Sequence, residues 1–181
     1  MDRIRIILVL VVAMAFGFML EMVKVNLNYI LEFSQRIPGY NELSATEREN
    51  SLEAIAIDAP YDYYHNHRKI QYLYTCSQSR LNLLKWLVTL IGTGFFLLVH
   101  LLLVKWITKE KLWVRWTLLL YTIFFVLSFL IYLFGKWTGT LEQAYGISRK
   151  IAGALQSLVP LMLIIPGWWI WKNDKNKKLQ G

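Results

Sequence analysis

The chain has 181 residues, of which 56% are hydrophobic and 15% aromatic, and its mean hydropathy is +0.37. This apolar content exceeds that of ordinary soluble domains and is typical of membrane proteins. The formal net charge of +8 is gathered in a few local clusters, which argues against a nucleic-acid partner. We therefore expect an integral membrane protein whose first partner is the lipid bilayer.

The first predicted element is a transmembrane helix over residues 1–24. Residues 5–23 form an apolar run that is long enough to cross the hydrocarbon core of a bilayer. Ala13-Met14-Ala15 resembles a cleavage site for a signal peptidase, but the apolar run continues beyond it. This continuation favours an uncleaved anchor over a signal peptide.

Residues 25–80 are predicted to form a small extracytoplasmic helical domain. The first helix keeps a helical apolar spacing beyond the membrane and should stop at Pro38-Gly39. Ser44 and Glu47 have the spacing of a capping box, which predicts a short second helix that ends near Ile57. The apolar side expected for the extension of the first helix is formed by Leu27, Ile30, Leu31 and Phe33.

A third piece is predicted to run as one continuous helix from about Tyr61 to Trp106. The stretch has no proline, and it has no glycine before Gly92. Its first part is rich in tyrosine and histidine and should lie outside the bilayer, where aromatic side chains suit contact with a protein partner. The residues assigned to this partner-binding surface are Tyr61, Tyr63, Tyr64, His65, His67, Tyr72 and Tyr74.

The rest of the chain is predicted to complete a bundle of four transmembrane helices. Pro160 and Pro166 predict a bend in the last of them. Basic residues at the expected inner ends place both termini in the cytoplasm by the positive-inside rule. The predicted segments are transmembrane helix 2 over residues 81–106, a cytoplasmic turn over 107–112, transmembrane helix 3 over 113–135, an extracytoplasmic connector over 136–150, transmembrane helix 4 over 151–171 and a basic cytoplasmic tail over 172–181.

The predicted fold class is therefore all-α, a polytopic membrane protein with a helical extracytoplasmic domain between helices 1 and 2. Three polar residues are expected inside the membrane, namely His100, Ser128 and Gln156. His100 should form a hydrogen bond with Ser128, Gln156 or a carbonyl group across the bundle, because an isolated polar group in lipid is costly.

No catalytic centre, cofactor or metal site is expected. His65 and His67 are two residues apart and would lie on opposite sides of a helix, so they could not bind one ion together. Cys76 and Arg80 would share a helix face, but His100, the natural base, lies about 36 Å away along one helix. A structural thiol at Cys76 is expected, and a non-catalytic protein is favoured over an enzyme.

The order of one span, an outer domain and three further spans is similar to that of the permease subunits of the mechanotransmitting class of ABC transporters. In that class the first two spans extend outward as a stalk, and the similarity here is one of topology alone. We predict a non-catalytic integral membrane subunit of an envelope complex, which docks a protein partner or transmits a conformational change through its outer helices.

Two alternatives remain open. One is a small channel or transporter built as a homo-oligomer and lined by the intramembrane polar residues. The other is a membrane enzyme with a metal site at the outer histidines. The chain is compact and has no N-x-S/T glycosylation acceptor, so a bacterial inner membrane is the expected location.

Overall fold

The computed structural model describes residues 2–55 and 68–180, and in these ranges the secondary structure is helical with no strand. This confirms the all-α prediction. The helices of the described residues are α1 (Asp2–Ser34), α2 (Ala45–Glu53), α3 (Gln71–Tyr74), α4 (Gln78–Thr108), α5 (Lys111–Thr138), α6 (Leu141–Leu155) and α7 (Val159–Gln180).

Three helices, α1, α4 and α5, are long and apolar enough to cross a membrane. Helices α6 and α7 pass the same test only as a pair, and the two are bent by 57° at the short break between them. Residues 2–55 and 68–180 therefore contain three helices that could span a membrane, or four such elements if the bent pair counts as one, which is consistent with a helical integral membrane protein. By internal contacts it divides into two compact units, Ala15–Ile91 and a second unit formed by Met1–Met14 with Gly92–Gly181.

The unit Ala15–Ile91 is built on a core at the C-terminal end of α1. All four residues predicted for the apolar side of the extended helix are buried there, which confirms the predicted helical spacing. Leu52 of α2 is fully buried against this cluster, and Ile55 packs on it. The core residues are Leu27, Tyr29, Ile30, Leu31, Phe33, Tyr40, Leu52, Leu73, Tyr74, Cys76 and Leu81.

The predicted capping box starts α2. The Ser44 hydroxyl accepts a hydrogen bond from the amide of Glu47 at 3.4 Å, and the Glu47 carboxylate accepts one from the Ser44 amide at 2.8 Å. The hydrogen bonds from the side chain and the amide of Ser44 lower the pKa of Glu47. The helix ends at Glu53, earlier than predicted, and Ile57 lies outside the described residues.

The structure does not form the continuous helix that was predicted from Tyr61 to Trp106. In the described part, residues 68–70 are not helical, and the helix is interrupted again between α3 and α4. The break exists because neighbouring side chains bind its backbone groups. The Tyr40 hydroxyl donates to the Cys76 carbonyl at 3.1 Å, and the Asn41 side chain accepts from the Gln78 amide at 3.0 Å.

Cys76 consequently precedes α4 and does not share a helix face with Arg80, contrary to the expectation from their spacing. The Cys76 side chain is 2% exposed and lies in the core. Its thiol donates to the Tyr72 carbonyl at 3.3 Å. The thiol is therefore buried and hydrogen-bonded within the core, and the expected pairing with Arg80 on one helix face is not formed.

In the second unit, α6 folds back along α5 after a tight turn. Gly139 ends α5 with a left-handed φ of 75°, a conformation that glycine adopts without strain. Gly135 lies so close to α6 that a Cβ atom at this position would stand 2.1 Å from the Cβ of Ala144. The predicted connector over residues 136–150 is thus largely helical and packs along α5.

Residues 156–158 separate α6 from α7, so the predicted fourth span over residues 151–171 falls on two helices. The bend lies directly before Pro160, in agreement with the bend expected from the prolines. In the middle of α7, the Trp171 ring meets the Trp113 ring of α5 with centroids 6.2 Å apart. The start of α5 and the middle of α7 therefore lie together.

Replacing Gly135 with alanine should destabilise the protein by about 2 kcal/mol, because the added methyl group overpacks the contact with Ala144. Gly94→Ala is the matched control, since nothing lies within 4 Å of its Cβ position, and it should be neutral or stabilising by about 0.5 kcal/mol. Thermal unfolding of the purified chain in detergent measures both. Equal midpoints for the two variants would contradict the close approach of α5 and α6.

Candidate functional site

Asn26 of α1 holds the chain just after the segment of residues 56–67. Its side chain is 1% exposed and donates to the Arg68 carbonyl at 3.2 Å and to the Met22 carbonyl at 2.9 Å. Its side-chain oxygen accepts from the Ile70 amide at 3.4 Å. A buried side-chain amide that bonds both a backbone carbonyl and a backbone N–H of a neighbouring segment fixes the position of that segment.

Lys69 ties the same stretch to α2. Its ammonium group donates to the carboxylates of Glu49, at 3.0 Å, and Glu53, and it lies 4.6 Å from the centroid of the Tyr74 ring. Burial lowers the pKa of Lys69, but the hydrogen bonds and charges of Glu53 and Glu49 outweigh this effect, so the pKa is raised. Gln71 also donates to Glu49.

These contacts form what we term the outer frame, made of Asn26, Glu49, Glu53 and Lys69. It fixes the chain after residue 67, and Ile55 packs on the core just before residue 56. Both ends of the segment 56–67 are therefore anchored on one folded unit. Five of the seven residues predicted for partner binding, Tyr61, Tyr63, Tyr64, His65 and His67, belong to this segment and lie outside the described residues.

The other two predicted contact residues have opposite environments. Tyr72 is 61% exposed and can reach a partner. Tyr74 is fully buried, with its ring 6.2 Å from that of Tyr29, so it must be removed from the predicted surface. The reason is the α3 turn, in which residues two positions apart lie on nearly opposite sides of the helix.

Arg48 connects the loop between α1 and α2 with the turn that follows α3. Its three guanidinium nitrogens donate to the carbonyl groups of Tyr40 at 3.0 Å, Thr75 at 3.2 Å and Asn41 at 2.7 Å. Burial raises the pKa of the Tyr40 hydroxyl to about 12, although the charge of Arg48 lowers it. Because the folded pKa is raised, the contribution of Tyr40 to stability is complete below its unfolded value near 10 and is lost as the pH rises through 12.

In the second unit, His100 of α4 is bound to α5 and α6 through one tyrosine. The hydroxyl of Tyr121 lies 2.7 Å from His100 Nδ1 and 2.7 Å from the Leu155 carbonyl oxygen. The carbonyl can only accept, so the single hydroxyl proton goes to Leu155 and His100 Nδ1 must donate to the tyrosine oxygen. In the neutral imidazole, Nε2 is then an acceptor, and it has no partner among the described residues.

The predicted intramembrane residues are not hydrogen-bonded to one another. Ser128 pairs with Ser148 of α6, with the two hydroxyl oxygens 2.7 Å apart. Gln156 donates to the Thr93 hydroxyl at 2.8 Å. Each of the three predicted residues therefore links two helices, as expected for polar groups in a bundle, but the partner of His100 differs from those predicted.

Sequence reasoning missed the residues that complete these contacts, namely Asn26, Arg48, Thr93, Tyr121 and Ser148. Tyr121 offered a signal, because it lies in the middle of an apolar run and away from the ends where tyrosine serves as an interface anchor. Among residues 2–55 and 68–180, no group of three or more His, Cys, Asp or Glu residues is placed to hold a metal ion.

Replacing Asn26 with alanine should loosen the outer frame, because the Arg68 carbonyl and the Ile70 amide lose their partner. Trypsin cuts after Arg68 and Lys69, so cleavage there under native conditions should become at least about tenfold faster, which corresponds to roughly 1.4 kcal/mol. Asn28→Ala, on the same helix, is the control and should cleave at the parental rate. An unchanged rate for Asn26→Ala would refute the role of Asn26.

The tautomer of His100 can be tested by nitrogen-15 NMR of the histidine-labelled protein. We expect a protonated Nδ1 and an unprotonated Nε2 at neutral pH. Tyr121→Phe removes the acceptor of Nδ1, so the preference for this tautomer should be lost, whereas Tyr132→Phe should leave it unchanged. A predominantly Nε2-protonated ring in the parent protein would contradict the hydrogen-bond assignment.

The chain was also compared with known proteins, and no protein-family model, curated protein or solved structure shows significant similarity to it.

Proposed function

We propose that the protein is a non-catalytic integral membrane subunit that docks a protein partner through the segment of residues 56–67. The observation that carries the proposal is the anchoring of both ends of this segment by one folded unit. Five of its twelve residues are tyrosine or histidine, side chains that serve well in recognition because they combine apolar area with a polar tip.

The proposed setting is a membrane with four spans, the fourth being the bent pair of α6 and α7. In this arrangement the unit Ala15–Ile91 carries the extracytoplasmic domain, and both termini are cytoplasmic. Basic residues around the turn between α4 and α5 and in α7 support this orientation through the positive-inside rule. A bacterial inner membrane and an envelope complex remain part of the same proposal.

A photocrosslinking amino acid at Tyr64 tests the docking directly in native membranes. We expect a discrete adduct with a second polypeptide, identified by mass spectrometry. A probe at Asn50, which is exposed on α2, is the matched control and should give no such adduct. Adducts that contain only copies of this chain would replace the docking subunit with a homo-oligomer, and equal adducts from both probes would refute a specific site.

A second candidate function, a small channel or transporter, is favoured by the break between α6 and α7. Interrupted spans commonly form the binding sites of transporters. Here the break contains Gln156, which is bonded to Thr93 of α4. If this contact belongs to a transport path, Gln156→Leu should abolish ion flux into liposomes that contain the purified protein. Liposomes with the parent protein that show no flux would exclude this candidate.

A further inference from the structure

The register of α6 against α5 is fixed by three contacts along the pair. Gly135 meets Ala144, the Ser128 hydroxyl meets that of Ser148, and the Tyr121 hydroxyl bonds the Leu155 carbonyl. In two antiparallel helices, residue numbers rise along one helix as fast as they fall along the other, so facing residues have nearly the same summed number, as these three pairs do. Arg149 and Lys150 therefore lie at the level of residues 126–127 of α5.

This level is the middle of an uncharged stretch. The nearest charged residues of α5 are Arg115 and Lys136, and the 20 residues between them match the thickness of the hydrocarbon core. Arg149 and Lys150 lie about 17 Å from the level of Arg115 and about 14 Å from that of Lys136. If α5 crosses the bilayer, these two cations lie near its midplane, too deep for their side chains to reach the headgroups.

Both cations are nevertheless exposed on the surface of the unit. Gly146 and Gly153 flank them at helical spacing on the same face, and nothing lies within 4 Å of the position of a Cβ atom at either glycine. The face formed by Gly146, Arg149, Lys150 and Gly153, here termed the cationic face, is therefore recessed at its two ends. No described carboxylate forms an ion pair with Arg149 or Lys150.

Acyl chains cannot cover such a face at low cost, because a charged group at the bilayer centre is strongly destabilising. We propose that the cationic face lines a water-filled cleft in the membrane that admits small anions. Water keeps the two cations solvated, and their field in a low-dielectric surrounding concentrates anions.

The inference rests on the proposed membrane placement of α5 and is independent of a docked partner. Its test uses single-cysteine variants Gly146→Cys and Gly153→Cys in a Cys76→Ser background, which leave Arg149 and Lys150 in place. Each variant, reconstituted in liposomes, is treated with an anionic or a cationic methanethiosulfonate, and the adduct is followed by mass spectrometry. Gly94→Cys is the matched control, because the contact of His100 with Tyr121 places Gly94 at the same depth on an exposed, apolar part of α4.

We expect the anionic reagent to label both face positions and to leave Gly94→Cys unlabelled until detergent is added. It should react faster than the cationic reagent, relative to a free thiol, and Lys150→Gln should slow the anionic reagent about fivefold, the effect of one charge near 4 Å in water. Face positions that label only in detergent would overturn the cleft, because lipid or a protein helix then covers them.

The remaining outcomes are equally decisive. Equal rates for the two reagents, unchanged by Lys150→Gln, would overturn the selection of anions. Labelling of Gly94→Cys in intact liposomes would show that this level is not embedded in lipid. That result would refute the membrane placement itself, and with it this inference, whereas the docking of a partner by the outer segment would be untouched.

Discussion

The close contact of Gly135 with Ala144 is the constraint on which the second unit depends. It allows the backbones of α5 and α6 to approach, and with the glycine turn that follows α5 it sets one antiparallel register. Every polar contact along the pair follows from that register. The serine hydroxyls meet, and one tyrosine hydroxyl reaches both an imidazole and the last carbonyl of α6. A shift by one residue would separate all of these groups at once.

Features that depend on local chemistry could be predicted from the sequence. The apolar side of α1, the capping box of α2 and the bend before Pro160 each arise from residues within a few positions of one another. The helical class follows from composition and periodicity, and so do the three long apolar helices α1, α4 and α5, whereas the predicted fourth span falls on two shorter helices. The exposed surface around Tyr72 was also accessible to such reasoning, because aromatic residues in a polar stretch indicate contact.

Features that depend on distant residues could not be predicted. The break before α4 is made by side chains of Tyr40, Asn41 and Arg48, which bind backbone groups more than 25 positions away, and nothing in the sequence of the break itself requires it. The burial of Tyr74 follows from the same break. Likewise, the partner of His100 is chosen by the packing of three helices, and spacing in the chain gives no measure of that packing.

The contact of Asn41 with the first turn of α4 has a consequence for where that helix begins. The amide of Gln78 is one of the groups that a helix leaves unbonded at its start, and here its acceptor comes from a loop 37 positions earlier. When that loop is displaced, the Gln78 amide loses its acceptor and must turn to water, so the first turn of α4 is weakened. The N-terminal boundary of α4 is therefore set by a residue of an earlier loop, and the length of the helix reports on whether that loop is in place.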